Sequence, residues 1–597
     1  MALQAVDWAF IIGFFVVSLL IGLAVSKKAG KSSTEFFLSG RNMPWWLLGV
    51  SMVATTFSSD TPNLVTDIVR QNGVAGNWVW WAFLLTGMLT VFVYAKLWRR
   101  SRVLTDLEFY ELRYSGKAAA FLRGFRALYL GVFFNVLIMA TVSLAIIKIG
   151  GVMLKLSPVQ TLLIASVVTV LYSALGGLRG VLITDFFQFT IAMIGAVGAA
   201  VVAVRLPQVG GLHNLLTNQD IVSKLSLLPD FNNWDALIPL FVLPLAVQWW
   251  SVWYPGAEPG GGGYIVQRML SAKSERHAVG ATLLFNVTHY ALRPWPWIMV
   301  ALCSLVVFPD LESLRAAFPN VASNVIRHDM AYPAMLTFLP TGLLGLVVAS
   351  LIAAFMSTIS THLNWGSSYV VNDFYKRFIN PQADEKKQVF AGRISTVGLM
   401  ILTGMLALLL SNALQAFQIL LQVGAGTGLL FILRWFWWRI NPYSELTAMG
   451  VSFLVAVYLS MIHPHTGLPS ISTHLQLLLG VGITTVGWIS VTLLTSPSDK
   501  KTLRSFYRMV KPGGPGWKKV VEKARKDEEP MESKEESWDV PQGILCMVLG
   551  CFGVYSALFA VGYWIYGKNV LASLLSMSAV VSGFFLMKMW KKLKMLS

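Results

Sequence analysis

The chain has 597 residues, 55% of them hydrophobic and only 13% charged, with a mean hydropathy of +0.62 and a formal net charge of +18. That apolar excess excludes an ordinary soluble domain and indicates an all-α polytopic membrane protein, since runs of about 20 apolar residues cross a hydrocarbon core of roughly 30 Å as helix. The positive charge falls in alternate loops, which points to membrane topology rather than to a nucleic-acid surface.

About fifteen such runs are expected. In chain order they are 6–26, 44–68, 78–98, 124–149, 158–178, 180–205, 236–258, 277–308, 338–371, 390–411, 414–437, 444–462, 475–495, 542–566 and 568–588. The first has no basic residues before it and Lys27 and Lys28 directly after it, so it reads as a retained helix and not a signal peptide. Basic residues also follow the third, seventh, ninth and eleventh runs, whereas the long loops at 206–235 and 309–337 hold few. The positive-inside rule then puts the N-terminus outside and the C-terminus in the cytoplasm, for a multi-pass protein of the plasma (inner) membrane. Cys303, Cys546 and Cys551 lie in or beside the runs, and their spacing forms no disulfide framework or zinc motif. No Walker A pattern occurs, which argues against an ATP-driven pump.

The runs divide the chain into an N-terminal extra helix with its loop (1–43), a first group of five helices (44–205), an extracellular loop (206–235), a second group of five (236–441), two accessory helices (442–495), a charged cytoplasmic linker (496–541) and two C-terminal helices (542–597). The linker is too short and polar to bury a core of its own. Because five is odd, the second group enters the membrane from the side opposite the first, the arithmetic of an inverted repeat. The first helix of each group is interrupted, by "SMVATTFSSDTPNL" at 51–64 and by "YPGAEPGGGGYIVQRML" at 254–270. Unwound backbone is tolerated in a bilayer only where protein buries it or water lines it, so matched breaks point to a ligand site near the midplane. The plainer alternative is a pair of proline kinks.

In the ninth run, Ala354, Ser357, Thr358 and Thr361 stand at i, i+3, i+4 and i+7 and share one helical face. Such a stripe serves helix packing, or it offers the neutral oxygens that a hard cation of low charge requires.

From "STEFFLSGRNMPWWLLGVSMVATTFSSDT" through "TDLEFYELRYSG", "YSALGGLRGVLITDFFQF", "YIVQRMLSAKS" and "AAFMSTISTHLNWGSSYVVNDFY" to "LLFILRWFWWR", the chain resembles bacterial-type members of the sodium/solute symporter family over about 400 residues. The resemblance implies a LeuT-type five-plus-five inverted repeat with one extra N-terminal and about four extra C-terminal helices, and sodium-coupled uptake of a small organic solute. It implies a sodium site made by the carbonyls of Ala54, Phe57 and Ala354 and the hydroxyls of Ser357 and Thr358, with Asp185 on the intracellular sodium route. For Asp185 a structural ion pair with Arg179 is the alternative.

The substrate positions depart from the sugar-carrying members, which place a glutamate and a serine where this chain has Val79 and Ala82, and a lysine near Arg293. What remains is charged: Asp60 in the first break, Glu258 in the second, and Arg293. Ionisable groups at membrane depth are costly and by default functional. The expected contacts are Thr56, Asp60, Thr61, Glu258, Gly261, Gly262 and Arg293, with Gln418 or Gln422, for a zwitterionic or anionic solute. The structural alternative pairs Asp60 with Arg70, or Glu258 with Arg293. Trp80, Trp81, Trp249, Trp250, Trp253, Tyr254, Trp295 and Trp297 either wall the pocket or anchor helix ends.

The expectation is a sodium-coupled symporter working by alternating access, with Na+ as the coupling ion and no other cofactor, in contact with solute and lipid and not with nucleic acid. A proton-coupled symporter is the near alternative, and a transporter-derived sensor or channel a more distant one. No constellation of nucleophile, base and orienting group marks an enzyme.

Overall fold

The computed structural model describes residues 3–154, 156–251, 258–319, 326–409, 424, 426–529, 531 and 538–593. Among them the chain is helical, and β-pairing is limited to one isolated bridge between Met43 and Ala272.

Helix α1 (Ala5–Ala29) exposes Ile12, Val16 and Leu20, one turn apart, as a lipid-facing stripe. Its buried Asp7 accepts the backbone N–H groups of Gly342 at 2.7 Å and Gly345 at 2.8 Å, which fastens α1 to the start of a distant helix. The first interrupted helix consists of α2 (Trp45–Thr56) and α3 (Thr61–Asn72), with Pro62 in the first turn of α3. Then follow α4 (Val74–Ser101), α5 (Gly116–Ile147) and α6 (Pro158–Arg205). Ser157 and Gln160 form a capping box at the start of α6, with Pro158 at its first position. Within α6, Gly177 takes φ 54° and breaks the helical geometry, and a Cβ there would lie 2.7 Å from the Phe36 carbonyl oxygen.

The second interrupted helix runs from α7 (Trp234–Ala246) to α8 (Gly263–Ser271). Beyond it lie α9 (Glu275–Val307), α10 (Leu343–Ile379), α11 (Glu385–Leu409), α12 (Gly428–Leu433), α13 (Pro442–His465) and α14 (Thr473–Leu494). After α15 (Lys500–Val510) and α16 (Lys518–Lys526), the chain ends in α17 (Val540–Ile565) and α18 (Asn569–Trp590).

Eleven of the helices formed by the described residues are long and apolar enough to cross a membrane. The difference from the expected fifteen has identifiable sources. The two interrupted helices break into shorter pieces, 158–178 and 180–205 form one element turned at Gly177, and the first part of 414–437 lies outside the described residues. Burial ranks the spans: the apolar window of α10 is 89% buried and that of α18 only 17%. Thus α10 is the central post, flanked by α6, while α18 stands at the lipid boundary and leans on α17.

Residues 500–526, expected as a polar linker without a core, fold against the membrane domain. Phe506, Val510 and Trp517 are buried, and the Trp517 indole donates to the Trp435 carbonyl at 2.9 Å. The Trp438 N–H donates to the Gly516 carbonyl at 3.2 Å. The Arg113 guanidinium lies over the rings of Phe506 and Trp517 at 5.3 and 4.8 Å. A short amphipathic segment thus completes its core with surface borrowed from the membrane helices.

Candidate functional site

The first break lies between α2 and α3. Phe57 leaves helical geometry (φ −96°, ψ 86°), and its ring stacks on Trp297 at 5.0 Å. The hydroxyl face of α10 lies opposite. Thr358 Oγ1 donates to the Thr55 carbonyl at 2.9 Å, and Thr361 Oγ1 meets Thr55 Oγ1 at 2.9 Å. Ser357 Oγ donates to Asp185 Oδ1 at 2.8 Å, while Ser51 Oγ donates to Asp185 Oδ2 at 2.5 Å. Ala354, Ser357, Thr358 and Asp185 are all buried.

Arg268, fully buried on α8, completes the cluster. It donates to Thr361 Oγ1 at 2.7 Å, Ser51 Oγ at 3.1 Å and Gln267 Oε1 at 3.0 Å, and it lies 3.6 Å from Asp185. The partner of Asp185 is therefore Arg268 and not Arg179. Helices α2, α6, α8 and α10 meet here around hydroxyls, a carboxylate and a backbone carbonyl. Such a donor set suits a hard monovalent cation.

At the second break the chain turns through glycines. Gly260 and Gly261 take φ 83° and 97°, a region costly for any side chain, and a Cβ on Gly261 would lie 2.8 Å from Met269 Cε. The freed backbone is met from α4 and the segment that follows it: Trp98 Nε1 donates to the Gly260 carbonyl at 2.9 Å, and Gly263 N donates to Asp106 Oδ2 at 2.9 Å. Glu258 forms a buried ion pair with Arg126, whose guanidinium lies over Tyr110 and Phe431. The suggested Glu258–Arg293 pair is thus replaced by Glu258–Arg126. Arg70 likewise serves carbonyls, donating to Ser304 at 2.8 Å and Phe308 at 2.7 Å, and does not pair with Asp60.

Between the breaks lies a cavity of about 120 Å³, lined among others by Thr56, Trp80, Glu258, Gly261, Gly262, Asn286 and His289. Arg293 lies behind this lining, buried, donating to Thr56 Oγ1 of the cavity wall at 3.1 Å with His289 of the same wall beside it at 3.4 Å, and lying 5.2 Å over the Trp297 ring. Among the described residues no carboxylate pairs with Arg293. Three buried polar atoms around this space make no hydrogen bond: Glu258 Oε2, Asn286 Oδ1 and Arg293 Nε.

The profile described as "Sodium:solute symporter family" matches residues 36–451, well over half of the chain. The chain belongs to the sodium:solute symporter family. Its relatives include a sodium/glucose cotransporter of Vibrio parahaemolyticus, 27% identical over 463 residues, which cover 74% of this chain and 82% of that protein. A sodium/mannose cotransporter of Bos taurus is 26% identical over 502 residues, covering 77% and 80%. A solved Na+-coupled sialic acid symporter, in a substrate-bound outward-open state, superposes with a TM-score of 0.65 at 19% identity, over 83% of this chain and 99% of that one. The fold is accordingly that of the LeuT-type transporters. This sodium:solute symporter is a multi-pass transporter with Na+ as coupling ion and a small solute as cargo, and not an enzyme.

Of the residues expected to bind solute, the structure gathers Thr56, Glu258, Gly261 and Gly262 around one cavity, with Arg293 behind its wall against Thr56 and His289. Asp60 and Thr61 stand outside that lining, and Gln418 and Gln422 lie outside the described residues. Among the tryptophans, Trp80 walls the cavity, Trp295 donates to the Leu558 carbonyl at 3.1 Å, and Trp81 is packed against Phe559. Trp253 and Tyr254 lie outside the described residues. Sequence reasoning missed Asn286 and His289, although Thr282, Asn286, His289 and Arg293 follow i, i+4, i+7, i+11 spacing and could have been read as one polar face. It also missed Asp106 and Arg126, whose partners, the Gly263 N–H and the Glu258 carboxylate, lie far along the chain.

Proposed function

We propose that the protein is a plasma-membrane symporter that uses sodium to drive uptake of a small anionic or zwitterionic organic solute by alternating access. The observation that carries this reading is Arg293, a guanidinium buried at membrane depth with no carboxylate partner among the described residues, in contact with Thr56 and His289 of the wall of the cavity between the two breaks. A buried guanidinium is costly alone and strongly favours a bidentate carboxylate. The orphaned acceptors Glu258 Oε2 and Asn286 Oδ1 suit an ammonium or hydroxyl at the other end of the solute.

Sodium would be held where the α2 break faces α10, by the carbonyls of Ala54, Phe57 and Ala354 with the Ser357 and Thr358 hydroxyls, and Asp185 would receive it on the way out. Glu275 and Lys27 belong to the cytoplasmic side in this reading, with the N-terminus outside. The relatives are named for glucose and mannose, and the guanidinium against Thr56 and His289 is what favours a charged solute over a sugar in this reading.

The test is uptake into proteoliposomes driven by a sodium gradient, comparing amino acids, hydroxy acids and sialic acid with glucose and myo-inositol. Carboxylate solutes should enter in sodium and not in choline, and Arg293→Gln should raise their KM by about tenfold to a hundredfold, the cost of losing a charged hydrogen-bond partner. Uptake of glucose that is indifferent to Arg293→Gln would remove the proposal, and uptake driven by a pH gradient without sodium would transfer it to protons.

A further inference from the structure

A second cavity, of about 1080 Å³, opens at the end of the membrane helices and shares no lining residue with the cavity between the breaks. Its walls come from three places: the end of α4 (Arg99, Arg102), the loop before α9 (Lys273), and α15 (Lys501, Arg504, Arg508). Eight basic side chains line it against two carboxylates. Part of the charge is compensated, since Arg508 pairs with Glu529 at 3.2 Å and Arg504 with both Glu529 and Asp527. Arg102, Lys273 and Lys501 are exposed and make no ion pair among the described residues. Nearby Arg41, which donates to the carbonyls of Arg102 and Val103 at 2.8 Å, is pushed down to about 10 by burial and then by the charge of Arg99.

Like charges converge on one hollow only at a cost in self-repulsion, which a bound anion would relieve. Guanidinium forks and ammonium groups arranged around a pocket match tetrahedral phosphate oxygens. The hollow also sits at the level where α4 ends and α9 begins, the depth of lipid headgroups. We propose that this cavity binds a polyphosphate-bearing ligand that bridges the first repeat, the second repeat and α15. The shared chemistry is two or more clustered phosphates, carried either by a soluble polyphosphate or by a diphosphate lipid headgroup. Alternating access moves the repeats against each other, so a ligand held by both and by α15 would bias the transport cycle.

The experiment uses the full chain at physiological ionic strength, with inorganic tripolyphosphate as the titrated probe, first in detergent and then in phosphatidylcholine nanodiscs with or without cardiolipin. Arg102→Gln combined with Lys501→Gln changes two exposed side chains and should weaken tripolyphosphate binding about tenfold or more. A control pair, Lys591→Gln with Lys592→Gln at the exposed C-terminal end of α18, should leave it unchanged. Competition by cardiolipin would support the lipid source, and indifference to cardiolipin with retained tripolyphosphate binding would support the soluble one. Equal affinity in the cavity and control variants, or no binding at that ionic strength, would overturn the proposal. Sodium-gradient uptake by the same proteins keeps this outcome separate from that of the transport reading, because neither variant touches the solute cavity.

Discussion

The two broken helices resolve the same problem in opposite ways. At the first break the backbone and the hydroxyls of α10 that face it satisfy one another, with Ser58 Oγ alone in the break left without a hydrogen bond: Thr358 donates to the Thr55 carbonyl, Ser357 and Ser51 serve Asp185, and Arg268 closes the cluster. At the second break the glycine backbone is met by Trp98 and Asp106 from a distant part of the chain, yet Glu258 Oε2 and Asn286 Oδ1 around the adjoining cavity, and Arg293 Nε behind its wall, are left without hydrogen bonds. A region that satisfies itself can be rebuilt around a small ion by rotating hydroxyls. A region that holds orphaned polar atoms needs a ligand with a polar surface of its own to meet them.

The largest effect should follow from breaking the saturated side. In Arg268→Ala the Asp185 carboxylate keeps its two hydroxyl donors but loses its buried cation, and leaving one charge of a buried pair uncompensated costs about 3–5 kcal/mol. Purified Arg268→Ala should lose thermal stability and sodium-dependent uptake together, and pairing it with Asp185→Asn should recover part of the stability. Wild-type stability in the single variant would mean that the four helices do not depend on this cluster. By contrast, the Arg293→Gln change behind the cavity wall removes a cation that has no carboxylate to abandon among the described residues, so stability should hold while solute KM rises.

How much of this was legible in the residues follows the same division. The two breaks were visible as polar and glycine-rich interruptions of apolar runs, and the hydroxyl stripe of α10 was visible as i, i+3, i+4, i+7 spacing, because both are local patterns in the chain. The pairings were not. Arg268 reads as an ordinary helix-end cation and Arg126 as a residue at the start of the run 124–149, yet each reaches a carboxylate far away in the chain, 83 positions from Asp185 to Arg268 and 132 from Arg126 to Glu258. Long arginine side chains can seek partners across a bundle, so their sequence neighbourhood says little about the charge they neutralise. The segment at 496–541 was misjudged for a related reason: its polarity was read alone, whereas Phe506 and Trp517 complete a core supplied by Trp435 and Arg113.

A smaller effect sharpens the sodium side. Ser357→Ala and Thr358→Ala each delete one hydroxyl oxygen and leave the packing of α10 nearly intact. A neutral hydrogen bond or ligand of this kind contributes about 1 kcal/mol, so each should raise the half-maximal sodium concentration by about fivefold with solute KM at saturating sodium little changed. Unchanged sodium dependence in both variants would remove the assignment of the cation to the α2–α10 face and leave the stripe as a packing surface.

The smallest effect belongs to neither break and so calibrates both. Asp499 caps α15: its Oδ1 accepts the Thr502 N–H at 2.7 Å, and this backbone hydrogen bond, foremost, holds its carboxyl below the usual carboxylate range. Because the folded value is depressed, the stabilisation is present above the ordinary carboxylate range and is lost as pH falls through the folded value. Asp499→Ala should cost about 1 kcal/mol of local stability, seen as roughly fivefold faster amide exchange across Lys500–Val510 at neutral pH. The difference between the two proteins should close in acid, once the wild-type carboxyl is protonated. Sodium and solute constants should stay at wild-type values, since α15 packs against the ends of the membrane helices and contributes nothing to the cavity between the breaks. Equal exchange in both proteins at neutral pH would show that α15 is held by Phe506 and Val510 alone, with the cap contributing no measurable order.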